Sequence, residues 1–128
     1  MAPPELVAWE AAWWRSAEPG RAETGPALFP AALLGLPEVE LIAAYEGERL
    51  VAGCALTRSG DVVGLSCIHQ ESVDPFAARS DMVSEVLGRH PGLPLAGYES
   101  GRDLEAALRC GFEPVGPLRV WLADRERS

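Results

Sequence analysis

Residues 40–58 read ELIAAYEGERLVAGCALTR, two apolar runs separated by a short charged turn that contains a glycine. Apolar runs joined in this way are typical of a β-hairpin. The stretch therefore predicts two antiparallel strands, Glu40–Tyr45 and Leu50–Arg58. The apolar run after the next turn predicts a third strand, Val62–Gln70, so residues 38–70 should form an antiparallel meander.

Two helices are predicted before the meander, within residues 1–36. Over residues 3–18, Trp9 and Trp13 fall on one face at helical spacing, with Trp14 beside them. Such a stripe packs against a sheet more often than it forms an aromatic binding surface, so we predict that these three tryptophans are core residues. A shorter second helix is predicted around Ala27–Gly35.

Residues 71–122 alternate between helical and extended patterns. The predicted elements are a helix over Asp81–Arg89 capped by Ser80, a strand over Leu93–Tyr98, a helix over Asp103–Cys110, and strands over Phe112–Val115 and Leu118–Leu122. Residues 123–128 are a charged tail that we expect in solvent. This order predicts a single α/β domain over residues 1–128, with a mixed, mainly antiparallel sheet and helices on both faces.

Length, composition and charge restrict the function classes. With 128 residues, 48% apolar and 23% charged, the chain has the composition of one soluble globular domain. Its 19 acidic and 11 basic residues give a net charge of −8, which argues against nucleic-acid and anionic-membrane partners because both require a basic surface. An amine substrate suits this charge better. The chain has no lysine, which excludes lysine Schiff-base chemistry.

The expected location of the protein follows from two features, a secretory signal peptide and a membrane span, for which the sequence shows no pattern. The start, Met1–Glu5, has no basic region and no long apolar core, and no run of residues is apolar enough to span a membrane. Cys54, Cys67 and Cys110 are widely spaced in apolar surroundings, which is typical of reduced thiols. We therefore expect a cytoplasmic protein.

The order of elements resembles the GNAT acyltransferase superfamily. Residues 103–116, DLEAALRCGFEPVG, resemble the penultimate helix of that family and the strand that follows it. The stretch Glu48–Gly53 resembles its usual second hairpin, and Val73-Asp74-Pro75 resembles the Val-x-Pro that leads from the central strand into the cofactor loop. The resemblance covers about residues 38–122. It implies a GNAT-like fold and transfer of an acetyl or other acyl group from acyl-CoA, as co-substrate, to a small-molecule or protein amine.

The chain departs from the family pattern at three places. The two glycines of the family's pyrophosphate loop fall on Asp81 and Val83. The tyrosine that many members place four residues before the Gly-Phe pair is Ala107. The first strand of the family is missing before the first helix, so either the domain is shortened or a partner chain supplies an edge strand, which makes a homodimer one expectation.

The resemblance also implies where acyl-CoA would bind, between the central strand and its next neighbour. The cofactor-binding residues that it implies are Cys67, Ile68, Val73, Arg79, Ser80, Ser100 and Arg102. Among them, Arg79 and Ser80 with the helix N-terminus would hold the pyrophosphate in place of the glycines.

Four residues are catalytic candidates at the ends of the two central strands. His69 could act as a general base toward an amine, or it could be a buried histidine satisfied by a backbone partner. Glu71 and Glu99 could bind an ammonium group or relay its proton, or could simply be solvated. Tyr98 could protonate the leaving thiolate, or could pack in the sheet. Cys67 has no histidine at a catalytic spacing, and no metal-ligand spacing is present.

Three functions are compatible with the sequence. The first is acyl-CoA-dependent N-acyltransfer, which positioning and backbone N–H groups can support without particular side chains. The second is a non-catalytic binding or assembly module on a GNAT-like fold. The third is a CoA-independent activity that uses Glu71, Glu99 or His69 on the same scaffold.

Overall fold

The computed structural model describes residues 1–17, 28–71, 74–119 and 121–123. Its elements are helix α1 (Pro3–Ala17), a 3₁₀ helix (Ala31–Gly35), strands β1 (Val39–Glu46), β2 (Arg49–Ser59) and β3 (Val62–Gln70), helix α2 (Pro75–Arg89), strand β4 (Leu95–Ala96) and helix α3 (Gly101–Arg109). The strands form one sheet in the order β1-β2-β3-β4. β1, β2 and β3 are antiparallel, and β4 is parallel to β3. The fold is therefore mixed α/β.

The predicted meander is confirmed to within a residue or two at each end. Gly47 and Gly60 lie in the two turns with φ of 61° and 60°. A glycine adopts this left-handed conformation without the steric penalty of a side chain. The turns therefore set the register that pairs β1 with β2 and β2 with β3.

The sheet carries helices on both faces, as predicted. Alternate residues of β2 face opposite sides, so Cys54 and Leu56 pack with α2 whereas Ala55 packs with α1. On the α1 side, Leu6 and Trp9 are buried against the sheet, which confirms Trp9 as a core residue. The two clusters hold the sheet between α1 and α2.

Helix α2 begins at Pro75 rather than at the predicted Asp81. Asp74 is its N-cap, and the Asp74 carboxylate accepts a hydrogen bond from the backbone N–H of Phe76 at 3.0 Å. Proline suits the first turn of a helix because its missing N–H has no helical partner there. The prediction of Ser80 as the cap was therefore wrong, since Ser80 lies inside the helix.

The extended elements of the C-terminal part were overpredicted. The strand predicted over Leu93–Tyr98 is reduced to the two residues of β4. The strands predicted over Phe112–Val115 and Leu118–Leu122 are absent, because residues 112–119 and 121–123 belong to no strand. Pro114 and Pro117 supply no N–H to a ladder, and the side chain of Trp121 is 86% exposed.

The remaining elements differ at their ends. Helix α3 runs over Gly101–Arg109 instead of Asp103–Cys110, and the helix predicted around Ala27–Gly35 is a 3₁₀ helix that starts after Pro30. Residues 18–27, between the two predicted N-terminal helices, and all but the first residue of the charged tail lie outside the described residues. In the described part of the chain, every helix is too short or too polar to cross a membrane.

Candidate functional site

The backbone of β3 is irregular at Cys67, near the middle of the sheet. Its register with β2 shifts between Gly53 and Ala55, and Cys67 has a φ of 53°. A positive φ is uncommon for a residue with a side chain, and such residues cluster at bulges and functional sites. Beyond the bulge β3 pairs with β2 again, with His69 opposite Gly53 and Gln70 opposite Ala52.

Strands β3 and β4 separate just before this bulge. Their ladder consists of Val63 with Leu95 and Gly64 with Ala96, although β3 continues to Gln70. From Ser66 to Gln70, the edge of β3 that faces β4 therefore has no strand partner among the described residues. The backbone groups on this edge therefore lie outside the strand ladder, and one of the carbonyls in this stretch, that of Cys67, lies 3.0 Å from His69 Nδ1.

His69 lies on β3 after the bulge, and its side chain is 2% exposed. Its Nδ1 is 3.0 Å from the carbonyl oxygen of Cys67. Because a carbonyl only accepts, Nδ1 carries the proton, and Nε2 of the neutral ring holds the lone pair. Nε2 is buried without a hydrogen-bond partner within the described structure. The structure therefore gives His69 the backbone partner expected of a buried histidine, at Nδ1. The other ring nitrogen, Nε2, has no partner among the described residues, so the ring is only half satisfied.

Trp9 of α1 fixes the other side of the His69 ring. The two rings meet edge to face with centroids 4.8 Å apart, and Trp9 Nε1 donates a 2.9 Å hydrogen bond to the carbonyl of Ile42. The ring of Phe29 packs edge to face on the ring of Trp9, with centroids 5.0 Å apart. The backbone N–H of Phe29 donates a hydrogen bond to the buried carboxylate of Glu10. This chain of contacts anchors α1 over the end of β3.

A cleft of about 270 Å³ opens beside His69, between the end of α1 and the ends of β2 and β3. It is lined by Ala12, Arg15, Ser16, Leu50, Val51, His69, Gln70 and Glu71. Glu71, which follows β3, forms an ion pair with Arg49 at the start of β2, at the open end of the β2–β3 hairpin. The structure thus brings together two of the predicted catalytic residues, His69 and Glu71, at one cleft.

Arg79 and Glu99 lie at a different place and bind each other. The Arg79 guanidinium is 2.7 Å from the Glu99 carboxylate and 3.5 Å from that of Asp103, and the Arg79 side chain is 4% exposed. These ion pairs tie α2 to the segment before α3, through Glu99, and to the first turn of α3, through Asp103. The guanidinium that was predicted to hold a pyrophosphate is occupied by protein carboxylates.

The other predicted residues that the structure describes do not line the His69 cleft. Tyr98 is 77% exposed, and Ser100 is the N-cap of α3 without a side-chain hydrogen bond. Arg102 lines a second cleft, of about 110 Å³, next to Asp74 at the start of α2. Ile68 and Ser80 are half-buried. Val73 lies outside the described residues.

Cysteine chemistry is disfavoured at the site. Burial raises the pKa of Cys54 to about 12 and also raises the pKa of Cys67 above its ordinary value. Both side chains are therefore thiols at neutral pH, and a thiol is a poor nucleophile. An acyl-enzyme on Cys67 is not supported by this environment.

His69 should make the stability of the protein depend on pH. Burial lowers the pKa of His69 below its ordinary value of 6.5, because the charged ring is poorly solvated. Between the two pKa values the unfolded chain binds more protons, so stability is full above pH 6.5 and falls as the pH drops below it. The slope should reach at most about 1.4 kcal/mol per pH unit. Urea unfolding between pH 5 and 8 measures it.

The control for this pH dependence is the second histidine, His90. His69→Gln should flatten the decline below pH 6.5, whereas His90→Gln should leave it in place. A wild-type curve that does not fall in this range, or a curve that His69→Gln does not change, would contradict the buried neutral ring.

Comparison of the chain with models of known protein families, with curated protein sequences and with solved structures found no match. Within the described ranges, no three His, Cys, Asp or Glu side chains come together as metal ligands. The fold and the site define a small mixed α/β protein with a histidine cleft at the end of a bulged central strand.

Sequence reasoning missed two residues of this site and the cap of α2. Gly53 gives the His69 ring its space, Arg15 lines the cleft, and Asp74 occupies the N-terminus of α2. The Asp74-Pro75 pair was a usable signal, because an aspartate directly before a proline is typical of a helix start. Arg15 and Gly53 carry no local signal, since their roles depend on contacts between α1 and the sheet.

Proposed function

We propose that the chain transfers an acyl group from acyl-CoA to an amine at the end of β3. The observation that carries this proposal is the separation of β3 from its parallel neighbour β4 at the Cys67 bulge. The gap leaves an unpaired strand edge from Ser66 to Gln70, where an extended acyl-pantetheine chain could form hydrogen bonds with the backbone. The resemblance to GNAT acyltransferases, stated from the sequence, suggests the same place.

The chemistry needs little from side chains. The amine nitrogen attacks the thioester carbonyl, a C–N bond forms, the C–S bond breaks, and the CoA thiolate leaves and takes a proton from solvent. Backbone N–H groups on the unpaired edge of β3 can stabilise the carbonyl oxygen as it gains charge. His69 is neutral at pH 7 because its pKa is lowered. Its Nε2 packs against Gly53 beside Trp9, so the ring has to turn toward the cleft before Nε2 accepts the proton that the amine loses.

A second candidate is a binding module that does not use CoA. The carboxylate of Asp74 already caps the N-terminus of α2, where a pyrophosphate would otherwise find free N–H groups. Arg79 is held by Glu99 and Asp103. These two features favour a binding module that uses the His69 cleft but cannot hold a pyrophosphate at the N-terminus of α2.

Calorimetric titration of the full chain with acetyl-CoA and with free CoA separates the two candidates. We expect saturable micromolar binding, and transfer to an amine that His69→Gln lowers about 100-fold while acetyl-CoA still binds. His90→Gln is the matched control and should keep full activity. Absence of heat and of a thermal shift at millimolar CoA would overturn acyl transfer and favour the binding module.

A further inference from the structure

The C-terminal segment, residues 115–122, exposes a run of large apolar side chains. Val115 is 102% exposed, Leu122 90%, Trp121 86% and Leu118 59%, and these four residues belong to no helix or strand. Single apolar side chains are common on a protein surface, but four of them within eight consecutive residues are typical of an interaction surface. No described residue of the chain covers this segment.

The sequence of the segment suits a strand that has no neighbour within its own chain. Residues 118–122 read LRVWL, so in an extended conformation Leu118 and Leu122 lie on one face and Arg119 and Trp121 on the other. Pro117 stands directly before this stretch, where a missing N–H does not interrupt a ladder. A single strand is not stable alone because its backbone groups need a partner. The segment therefore fits the role of a strand added to an existing sheet edge.

The sheet offers one long edge for such a strand, the outer side of β1. Among the described residues, β1 pairs only with β2, along the eight residues Val39–Glu46. The other end of the sheet is a poorer template, because β4 has only two residues and the free stretch of β3 contains the irregular backbone of Cys67. An unpaired edge of this length readily accepts a strand from another chain.

Charge complementarity matches the segment to this edge. Residues 38–48 contain four glutamates and no basic residue, whereas Arg119 is the single charged residue of the C-terminal segment. Glu40 is paired with Arg89, but Glu46, Glu48 and Arg119 form no ion pair with a described residue. The acidic edge repels most of the surface of a chain whose net charge is −8, and it attracts an apolar strand with one positive charge.

We propose that two copies of the chain associate by adding residues 118–122 of each copy as a strand to the outer edge of β1 in the other. Each copy supplies both the strand and the edge, so a two-fold exchange satisfies both features twice. Phe112 packs against the core on the α2 side, and the extended chain from Phe112 to Leu118 reaches about 20 Å, enough to cross to a neighbouring molecule.

The apolar area of the segment is sufficient for a specific dimer. Burying its four exposed side chains removes on the order of 500 Å² per copy from water. Reciprocal exchange doubles this to about 1,000 Å², which is the lower limit for a specific interface. Trp121 supplies the largest share and is the residue type most often found at the energetic centre of an interface.

Sedimentation equilibrium of the full chain tests the association. We expect a mass of twice the 13.7 kDa of one chain at micromolar concentration. Leu118→Gln combined with Trp121→Gln should raise the dissociation constant at least about 100-fold. Both side chains lie outside the two core clusters, so this variant should keep its fold, which circular dichroism checks. Val7→Gln is the matched control, because it removes an equally exposed apolar side chain from α1 and should leave the dimer intact.

Hydrogen exchange identifies the edge that accepts the strand. Amides within residues 39–46 should exchange at least about tenfold more slowly in the dimer than in the double variant, because the added strand protects them. Arg119→Glu should weaken association about tenfold by placing a fifth acidic side chain at this edge, whereas Arg119→Lys should preserve it.

Three results would overturn the proposal. The first is a natural chain that stays a monomer at 100 µM, whether or not Trp121 is protected by its own chain. The second is a dimer that Leu118→Gln with Trp121→Gln leaves unchanged. The third is protection that appears at residues 66–70 and not at residues 39–46, which would place the added strand between β3 and β4.

Discussion

A Gly53→Ala chain should be about 3 kcal/mol less stable to unfolding than the natural chain, at the upper end for an overpacked core. A Cβ at this position would lie 2.6 Å from Cε1 and Nε2 of His69 and 2.6 Å from Nε1 of Trp9. Both rings are buried, and Trp9 is held by its hydrogen bond to Ile42. The new methyl group would push the rings apart, so α1 would lose its anchor over the cleft.

Two other glycines serve as controls for this substitution. A Cβ on Gly64 of β3 would meet only the carbonyl oxygen of Thr57 at 3.5 Å, an ordinary contact, so Gly64→Ala should be nearly neutral. Gly88 lies inside α2 with open space around it, and Gly88→Ala should stabilise the protein by about 0.5–1 kcal/mol through helix propensity. Urea unfolding compares the three variants. If Gly53→Ala unfolds like Gly64→Ala, the packing of Trp9 and His69 over Gly53 is wrong.

The N-terminal part of the fold was predictable because its signals are local. Two glycine turns and apolar runs of suitable length define the meander, and each of these features is contained in a few consecutive residues. The stripe that contains Trp9 likewise needs only helical spacing to indicate a buried face. The structure adds what spacing could not indicate, which is that Trp9 contacts His69 across the sheet.

The C-terminal part was less predictable, because its residue pattern is typical of strands but the fold provides no neighbouring strand for them to pair with. Residues 112–122 alternate in a way that is typical of strands, but a strand needs a neighbour, and β4 has only two paired residues. Pro114 and Pro117 further reduce the N–H groups available for a ladder. Strand formation is therefore decided here by tertiary context rather than by local sequence.

The candidate site was predicted in part. His69 and Glu71 follow from their position at the end of a central strand, and the structure places both at one cleft. Arg79 was predicted to bind the cofactor and Glu99 to act in catalysis, but the two side chains form an ion pair with each other. Residue spacing could not predict this pair, because it joins α2 to a segment 20 residues further along the chain. The GNAT resemblance and the acyl-CoA site that it implies stay predictions.

A Glu99→Ala chain should be destabilised by about 2–3 kcal/mol, although Glu99 lies near the surface. Loss of one member of a buried ion pair commonly costs about 3–5 kcal/mol, because the remaining charge stays buried without its partner. Here Asp103 remains 3.5 Å from Arg79, and Glu99 is itself partly exposed, so we expect the smaller value. The Nε of Arg79 already lacks a hydrogen-bond partner among the described residues. Without Glu99, the buried guanidinium would therefore keep only its longer contact with Asp103.

A second substitution distinguishes a buried unpaired charge from a general loss of packing. Arg79→Met combined with Glu99→Ala removes the charge as well as its partner, and the double variant should be more stable than Glu99→Ala alone. Asp103→Ala is the control at the exposed end of the same network and should change stability by less than about 1 kcal/mol. If the double variant is no more stable than the single one, the effect comes from lost contacts and not from the stranded guanidinium. If Glu99→Ala is neutral, then the ion pair does not hold α2 to the turn before α3, and Arg79 is free to serve a ligand.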